Sequence, residues 1–160
     1  MDRIVQETRS GSPPVARVPL AVRIFSPILK LLLRARVPLG YNQLVTIRGR
    51  RSGVPRTTAI AVLEVGGRRW IWAPWGEVNW VRNLRAAGRA TIAVHGRSED
   101  IRAIELDLAG RIVFFRDVLG PFARSIPFGY WFIRLVDGVD LRDPVNVAQD
   151  RRVFELHPTP

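Results

Sequence analysis

Cysteine is absent from the 160 residues, which excludes disulfides, thiolate nucleophiles and cysteine-ligated metals. Histidine is nearly as scarce. Only His95 and His157 occur, too few for a histidine-based zinc centre, so no metal site is expected. Lysine is represented by Lys30 alone, and acidic residues are outnumbered 14 to 25 by basic ones, leaving a net charge of +11. No apolar run reaches the roughly eighteen residues that spanning a bilayer requires. A secretory signal is also missing: the apolar stretch comes late and no small-residue cleavage pattern follows it. A cytoplasmic location is the expectation.

What remains is a chain of ordinary globular composition, 47% apolar and 24% charged, of a length that suits one domain. Its basic charge is almost entirely arginine, whose planar fork matches carboxylate and phosphate. Such a charge attracts polyanions: nucleic acid, anionic lipid, or a phosphorylated cofactor. The arginines are scattered from Arg3 to Arg152 rather than gathered in one stripe, which weakens the nucleic-acid reading without removing it. Nucleic acid is not expected as a partner, but a basic nucleic-acid or membrane-binding module stays as an alternative.

Residues 1–19 are polar, carry Gly11, Pro13, Pro14 and Pro19, and read as a mobile leader to a single domain over 20–160. Over 20–36, Ala21, Ile24, Phe25, Ile28 and Leu32 fall at helical spacing among basic residues. That helix either packs on the domain or lies on an anionic membrane, and the two are compatible. Strands are expected over 43–48, 56–65 and 68–73, the last two joined by a hairpin at Gly66 and Gly67. A helix follows over 77–87, ended by Gly88, and then a second hairpin, 90–95 and 99–106, across Gly96 and Arg97. Helical spacing returns over 107–119. The aromatic stretch 122–136 fits helix or loop, and 152–156 reads as a final strand. Hairpins interrupted by two or three helices mean an α+β fold with an antiparallel sheet.

Familiar catalytic arrangements are missing. Ser52 is not on a nucleophile elbow and neither histidine has an evident serine partner. Glu64, Glu77, Glu99 and Asp100 read as surface and helix-start charges, with no pair singled out for acid–base work. The glycines are not followed by a helix in a βαβ unit, so a dinucleotide fingerprint is absent. The informative segment is Gly49-Arg50-Arg51-Ser52-Gly53-Val54-Pro55-Arg56, an arginine-bearing turn between two strands. Turn amides and arginine forks hold phosphate or carboxylate. Downstream, Asn79-Trp80-Val81-Arg82-Asn83-Leu84 places an indole and carboxamides on one helix, at spacings of three and four. A site in which the protein binds and orients while a cofactor supplies the chemistry fits these residues.

Together these two segments resemble the deazaflavin-dependent nitroreductase family, specifically over 44–94 and more loosely through Arg102-Ala103-Ile104-Glu105 to Val153-Phe154-Glu155-Leu156. The resemblance implies a split β-barrel that binds coenzyme F420 in preference to FMN. It also implies reduction of a small electrophilic acceptor: a quinone, an activated alkene or a nitro compound. Carried over by position, Arg50, Arg51, Ser52 and Arg56 line the phosphate end of the cofactor. Thr57, Thr58, Ala59 and Ile60 run beneath the ring, Ala73, Pro74, Trp75 and Gly76 form the opposing loop, and Asn79, Trp80 and Asn83 close the site. Tyr130 is the candidate proton donor, from an aromatic segment placed to roof the pocket. The chain departs from the family at Ala59 and Ile60, where proline and leucine are frequent. Trp75 replaces the lysine of several members and Val81 a common tyrosine, so the substrate side is reshaped. A non-catalytic binder of a flavin-like or lipid-like molecule also stays as an alternative to an enzyme. Oligomeric state leaves no trace in the sequence.

Overall fold

The computed structural model describes residues 42–94 and 97–159. The leader expected over 1–19 and the helix expected over 20–36 lie outside them. Six strands, β1 (Asn42–Arg48), β2 (Pro55–Val65), β3 (Arg68–Ala73), β4 (Arg89–Val94), β5 (Arg97–Glu105) and β6 (Arg152–Pro158), form a closed barrel in the order β1-β2-β3-β6-β5-β4. Every pairing is antiparallel, and β4 closes the ring on β1 through Val45 opposite Ile92. The strand side of the α+β expectation therefore holds. Gly66 and Gly67 both take positive φ, 58° and 75°, as a two-residue hairpin demands of its central residues. The second hairpin differs slightly: β5 starts at Arg97, paired with Val94, rather than at the expected residue 99.

Strand alternation sorts the core into two layers. One side chain in two points into the barrel, where Val45, Ile47, Ile60, Val62, Ile71, Ala73, Ile92, Ile101, Phe154 and Leu156 pack together. The intervening residues Leu63, Trp70, Trp72 and Val153 point outward and are covered by a helical layer. Phe114 anchors that layer, with its ring centroid 6.0 Å from those of both Trp70 and Trp72. Helix α1 (Asn79–Ala87) crosses one end of the barrel and drives Val81 and Leu84 into its interior. Fully burying each such aliphatic chain contributes about 1.5–3 kcal/mol. Gly88 ends the helix in the left-handed region, φ 64°, donating its amide to the Leu84 carbonyl.

The helical layer is where sequence reading falls short. Helix α1 begins at Asn79, two residues later than expected, because Gly76 and Glu77 are held in a turn: the Gly76 amide bonds the Ala73 carbonyl at 3.1 Å with φ 70°. Helix α2 (Leu108–Val113), capped by Asp107, continues as a wide π-helical stretch (Phe114–Leu119) into α3 (Gly120–Ser125). Proline clashes with the preceding turn of an α-helix, yet Pro121 does not end this one. The wide turn, closed by the Gly120 amide on the Phe115 carbonyl, precedes it. The aromatic stretch is helical over α4 (Gly129–Asp137), and α5 (Pro144–Asp150) was not expected at all. The described residues thus hold more helix than the two or three segments anticipated.

Asp137 closes α4 at the end where a helix disfavours negative charge. Burial pushes its pKa up to about 6, and the Arg151 charge offsets only part of this. A carboxyl whose folded pKa exceeds its unfolded value contributes stability that is fully present below the unfolded value and lost as pH rises through the folded one. Asp137→Asn should therefore raise stability at pH 7.5 by up to about 3 kcal/mol, from a shift of roughly two units. The gain should vanish near pH 4. Urea midpoints of the two proteins at both pH values check this, and a gain that persists at acid pH contradicts it.

Candidate functional site

Antiparallel order brings the two sequence segments to the same end of the barrel. The C-terminal end of β1, the N-terminal end of β2, the C-terminal end of β3 and the N-terminal end of β4 all lie there. The arginine turn joins the first pair, and the Ala73–Gly76 loop with α1 joins the second. The Gly66–Gly67 hairpin lies at the opposite end.

Within the turn, the Gly53 amide donates to the Gly49 carbonyl at 2.8 Å and the Gly49 amide to the Val54 carbonyl at 2.9 Å. Gly53 has φ 68°, which suits glycine. Gly49 is required for another reason. A Cβ there would sit 3.1 Å from Ser52 Oγ and 3.3 Å from Arg56 Nε, so these two side chains converge over a bare backbone. The amides of Arg51 and Ser52 find no protein acceptor among the described residues. Successive free amides beside guanidinium groups form an anion-binding concavity.

Asn83 fixes this turn to α1. It is only 5% exposed, and its Oδ1 accepts both the Arg50 amide at 3.3 Å and the Arg50 guanidinium at 2.9 Å. A buried carboxamide without partners would be costly, so this pair of hydrogen bonds specifies how the turn and helix meet. Trp80 packs against the barrel core, its ring centroid 6.1 Å from that of Phe154, and is only half-buried. Asn79 is exposed at the start of the helix.

Several arginines elsewhere are tied to carboxylates, whereas three gathered on this turn are not. Arg68 pairs with Glu155, Arg69 with Glu99, Arg116 with Asp117, and Arg85 with both Glu77 and Glu105. Among the described residues, no carboxylate pairs with Arg50, Arg51 or Arg56. Glu77, expected to be a plain helix-start charge, is instead a half-buried hub. It meets Arg85 at 2.6 Å, Arg152 at 3.1 Å and Arg82 at 3.6 Å. Its hydrogen bonds to Arg85 hold its carboxyl below the usual range against the effect of burial. Through Arg85 the hub ties α1 to β5, steadying the helix that carries Asn83. A lone acid before a helix gives a weak sequence signal for such a role. Its partner Arg152, and Glu105, which shares Arg85 with it, are distant in sequence and gave none.

Other site candidates are placed less uniformly. Thr57 and Ala59 face outward, where Thr57 Oγ1 lies 2.9 Å from Thr46 Oγ1, whereas Thr58 and Ile60 alternate inward. Ile60 and Ala73, at 5% and 0% exposure, are barrel-core residues whose side chains reach no surface ligand. Pro74 and Trp75 are half-buried beside the turn of Gly76. Tyr130 is not brought to the arginine turn. It packs in the helical layer on the outer face of β2, β3 and β6, and burial pushes its hydroxyl pKa up, with Asp140, Arg142 and Arg124 as its charged surroundings. A cavity of about 130 Å³ opens elsewhere, beside α5, among Asp140, Asp143, Asp150 and Arg151. It contains none of the motif residues, and its carboxylates would repel an anion. The arginine turn is the stronger candidate.

The family model for the F420H(2)-dependent quinone reductase matches residues 34–120, more than half the chain and all of both motif segments. The chain belongs to this family. It is accordingly an F420-dependent oxidoreductase by family, with the quinone reductases rather than the nitroreductases giving the family its description. Compared with curated proteins, the chain finds no match. Among solved structures it is similar to an F420-H2 dependent reductase, FDR-A, at 18% identity and TM-score 0.43, covering 73% of this chain and 94% of that one. It is also similar to the heme storage protein HutZ from Vibrio cholerae, at 14% identity and TM-score 0.47, with 84% and 89% covered. A third is a 5-nitroimidazole antibiotic resistance protein, described as putative, from Bacteroides thetaiotaomicron, at 13% identity and TM-score 0.49, with 82% and 80% covered. Likenesses this weak carry no weight for the ligand of this chain.

Proposed function

We propose that the chain binds F420 across the arginine-turn end of the barrel and uses it to reduce a small electrophilic acceptor, a quinone before an activated alkene or nitro compound. The observation that carries this reading is the gathering of Arg50, Arg51 and Arg56 on one glycine-bounded turn, with no carboxylate partner among the described residues and with the Arg51 and Ser52 amides free beside them. Asn83 holds that turn against the helix. The barrel interior is filled with side chains, so the ligand lies outside it, on the turn and its flanks. Arg50, Arg51, Ser52 and Arg56 hold the phosphate and its carboxylated tail; the bare backbone at Gly49 fits such a group. Thr57, Thr58, Ala59, Pro74, Trp75, Gly76, Asn79 and Trp80 border the ring system, and Ile60 and Ala73 support it from the core.

When bound, reduced F420 supplies a hydride from its C5 carbon to the acceptor. The residues of this chain bind, orient and neutralise charge. The turn and α1 carry no histidine, tyrosine or carboxyl group, so in this reading water supplies the proton at this exposed site. Tyr130 has no part in this reading. Separate titration of full-length protein with F420 and with FMN, followed by ring fluorescence, should show F420 binding more tightly. Equal or tighter binding of FMN overturns the assignment.

A further inference from the structure

Helix α4 has two apolar sides, and only one is used. Ile133, at 8% exposure, and Tyr130 pack into the helical layer. On the other side Phe128, Trp131, Phe132 and Leu135 are 84%, 63%, 60% and 66% exposed. Spacings of three, four and seven from Phe128 align them in one stripe. A helix of a globular protein ordinarily turns such a stripe inward.

The backbone fixes this display. Phe128 is the one described non-glycine residue with positive φ, 60°, a conformation that bulky side chains rarely adopt. A Cβ on Gly129 would lie 2.5 Å from the Ala123 carbonyl oxygen, so α3 and α4 meet backbone to backbone at this corner. The Gly129 amide donates to the Ile126 carbonyl at 2.9 Å, closing it. The stripe is held outward by a tight, built corner.

Its rim is basic. Arg134 stands on α4 beside Trp131 and Leu135, and Arg124 lies in the last turn of α3; both are exposed. Arg142 is exposed as well and, like Arg124, acts electrostatically on Tyr130. Asp137 and Asp140, the acids of this region, are half-buried. A second copy of the chain stacked on the stripe about a two-fold axis would bring these arginines against their own counterparts. An anionic lipid surface meets both features at once. Aromatic and aliphatic side chains enter the headgroup boundary while arginines meet the phosphates.

We propose that Phe128, Trp131, Phe132 and Leu135, rimmed by Arg124 and Arg134, dock this protein on an anionic bilayer. The docking face lies on α4, in the helical layer and not at the arginine turn. The proposal stands independently of the cofactor reading. If both hold, the protein works at the surface where hydrophobic acceptors are dissolved.

Co-sedimentation of the full-length protein at low salt tests it. Vesicles of phosphatidylcholine alone are compared with an equal mixture of phosphatidylcholine and phosphatidylglycerol. The parent should partition onto the mixed vesicles. The triple variant Trp131→Ser, Phe132→Ser, Leu135→Ser should lose at least about tenfold of that partition, given the apolar surface removed. Arg124→Gln with Arg134→Gln should lose about tenfold. Both variants should keep the parent's thermal melt and F420 affinity, since the altered side chains are exposed. Brominated lipid in the mixed vesicles gives a second measurement on an intact stripe: it should quench tryptophan emission of the parent much more than that of Trp131→Phe. Three results overturn the proposal: no sedimentation of the parent, sedimentation of the triple variant equal to the parent's, or a parent dimer in light scattering that the triple variant dissociates.

Discussion

Replacing Arg51 and Arg56 together by alanine should weaken F420 binding by about 2–5 kcal/mol while leaving the thermal melt where it was. Each charge-assisted hydrogen bond to an anion contributes about 1.5–3 kcal/mol net, and the two need not add fully. The unchanged melt follows from what these side chains do in the protein alone. Both residues are exposed, and among the described residues neither has a carboxylate partner. Removing them takes no interaction from the fold. The contrast is Arg69, half-buried and joined to Glu99 by bonds of 2.6 and 2.8 Å, whose loss the fold would feel. Fluorescence titration with F420, repeated with an analogue lacking phosphate and glutamates, separates charge from ring. The analogue should bind parent and double variant nearly alike. Normal binding of the full cofactor by the double variant would reduce the turn to a solvated hairpin.

The strands were legible because the signals that made them are local. Alternation over β1 and β2, paired glycines at Gly66 and Gly67, and the stop at Gly88 each act within a few residues. The same holds for the motif residues: the turn that bears Arg50, Arg51 and Arg56 folds on itself through Gly49 and Gly53. What joins the pieces is not local. That Arg50 meets Asn83 across 33 positions, or that Glu77 gathers Arg85 and Arg152, follows only once antiparallel closure brings four strand ends together. Sequence spacing put Trp80 and Asn83 on one face of a helix. It could not say that this face is the one turned toward the barrel.

The helical layer was misread for a different reason. Its residues are apolar on more than one side, so periodicity marks no single buried face. Tyr130 illustrates this: an aromatic cluster suggested a roof over the pocket, whereas Tyr130 and Ile133 pack inward against the layer and Trp131 and Phe132 stand in solvent. Pro121 also signals a stop that the wide helical turn before it overrides. Ile60 and Ala73 show the limit of carrying a motif by position. Alternation alone assigns them to the barrel interior, while a family motif records only that they stand in the right stretch of chain.

Asn83→Leu should lower both stability and F420 affinity, by about 1–3 kcal/mol each, because one buried oxygen serves both. Leucine has the same branching and number of heavy atoms as asparagine, so the change removes the hydrogen bonds while keeping the side chain's shape. It leaves the Arg50 amide and guanidinium without the acceptor that now fixes them at 3.3 and 2.9 Å, and the turn loses its tie to α1. Equilibrium unfolding in urea reads the first effect and F420 titration the second. Asn83→Asp separates them. The carboxylate keeps an acceptor for Arg50 and adds charge to the bond, so the turn stays tied to the helix and stability should lie within about 1 kcal/mol of the parent's. That added negative charge, however, lies beside the groups proposed to hold the anionic end of the cofactor, and F420 affinity should still fall. A helix-tying role alone predicts normal binding by the aspartate variant. A parent-like melt and parent-like titration for Asn83→Leu would show that the tie between turn and helix is dispensable, and the cradle would then have to be sought elsewhere on the barrel.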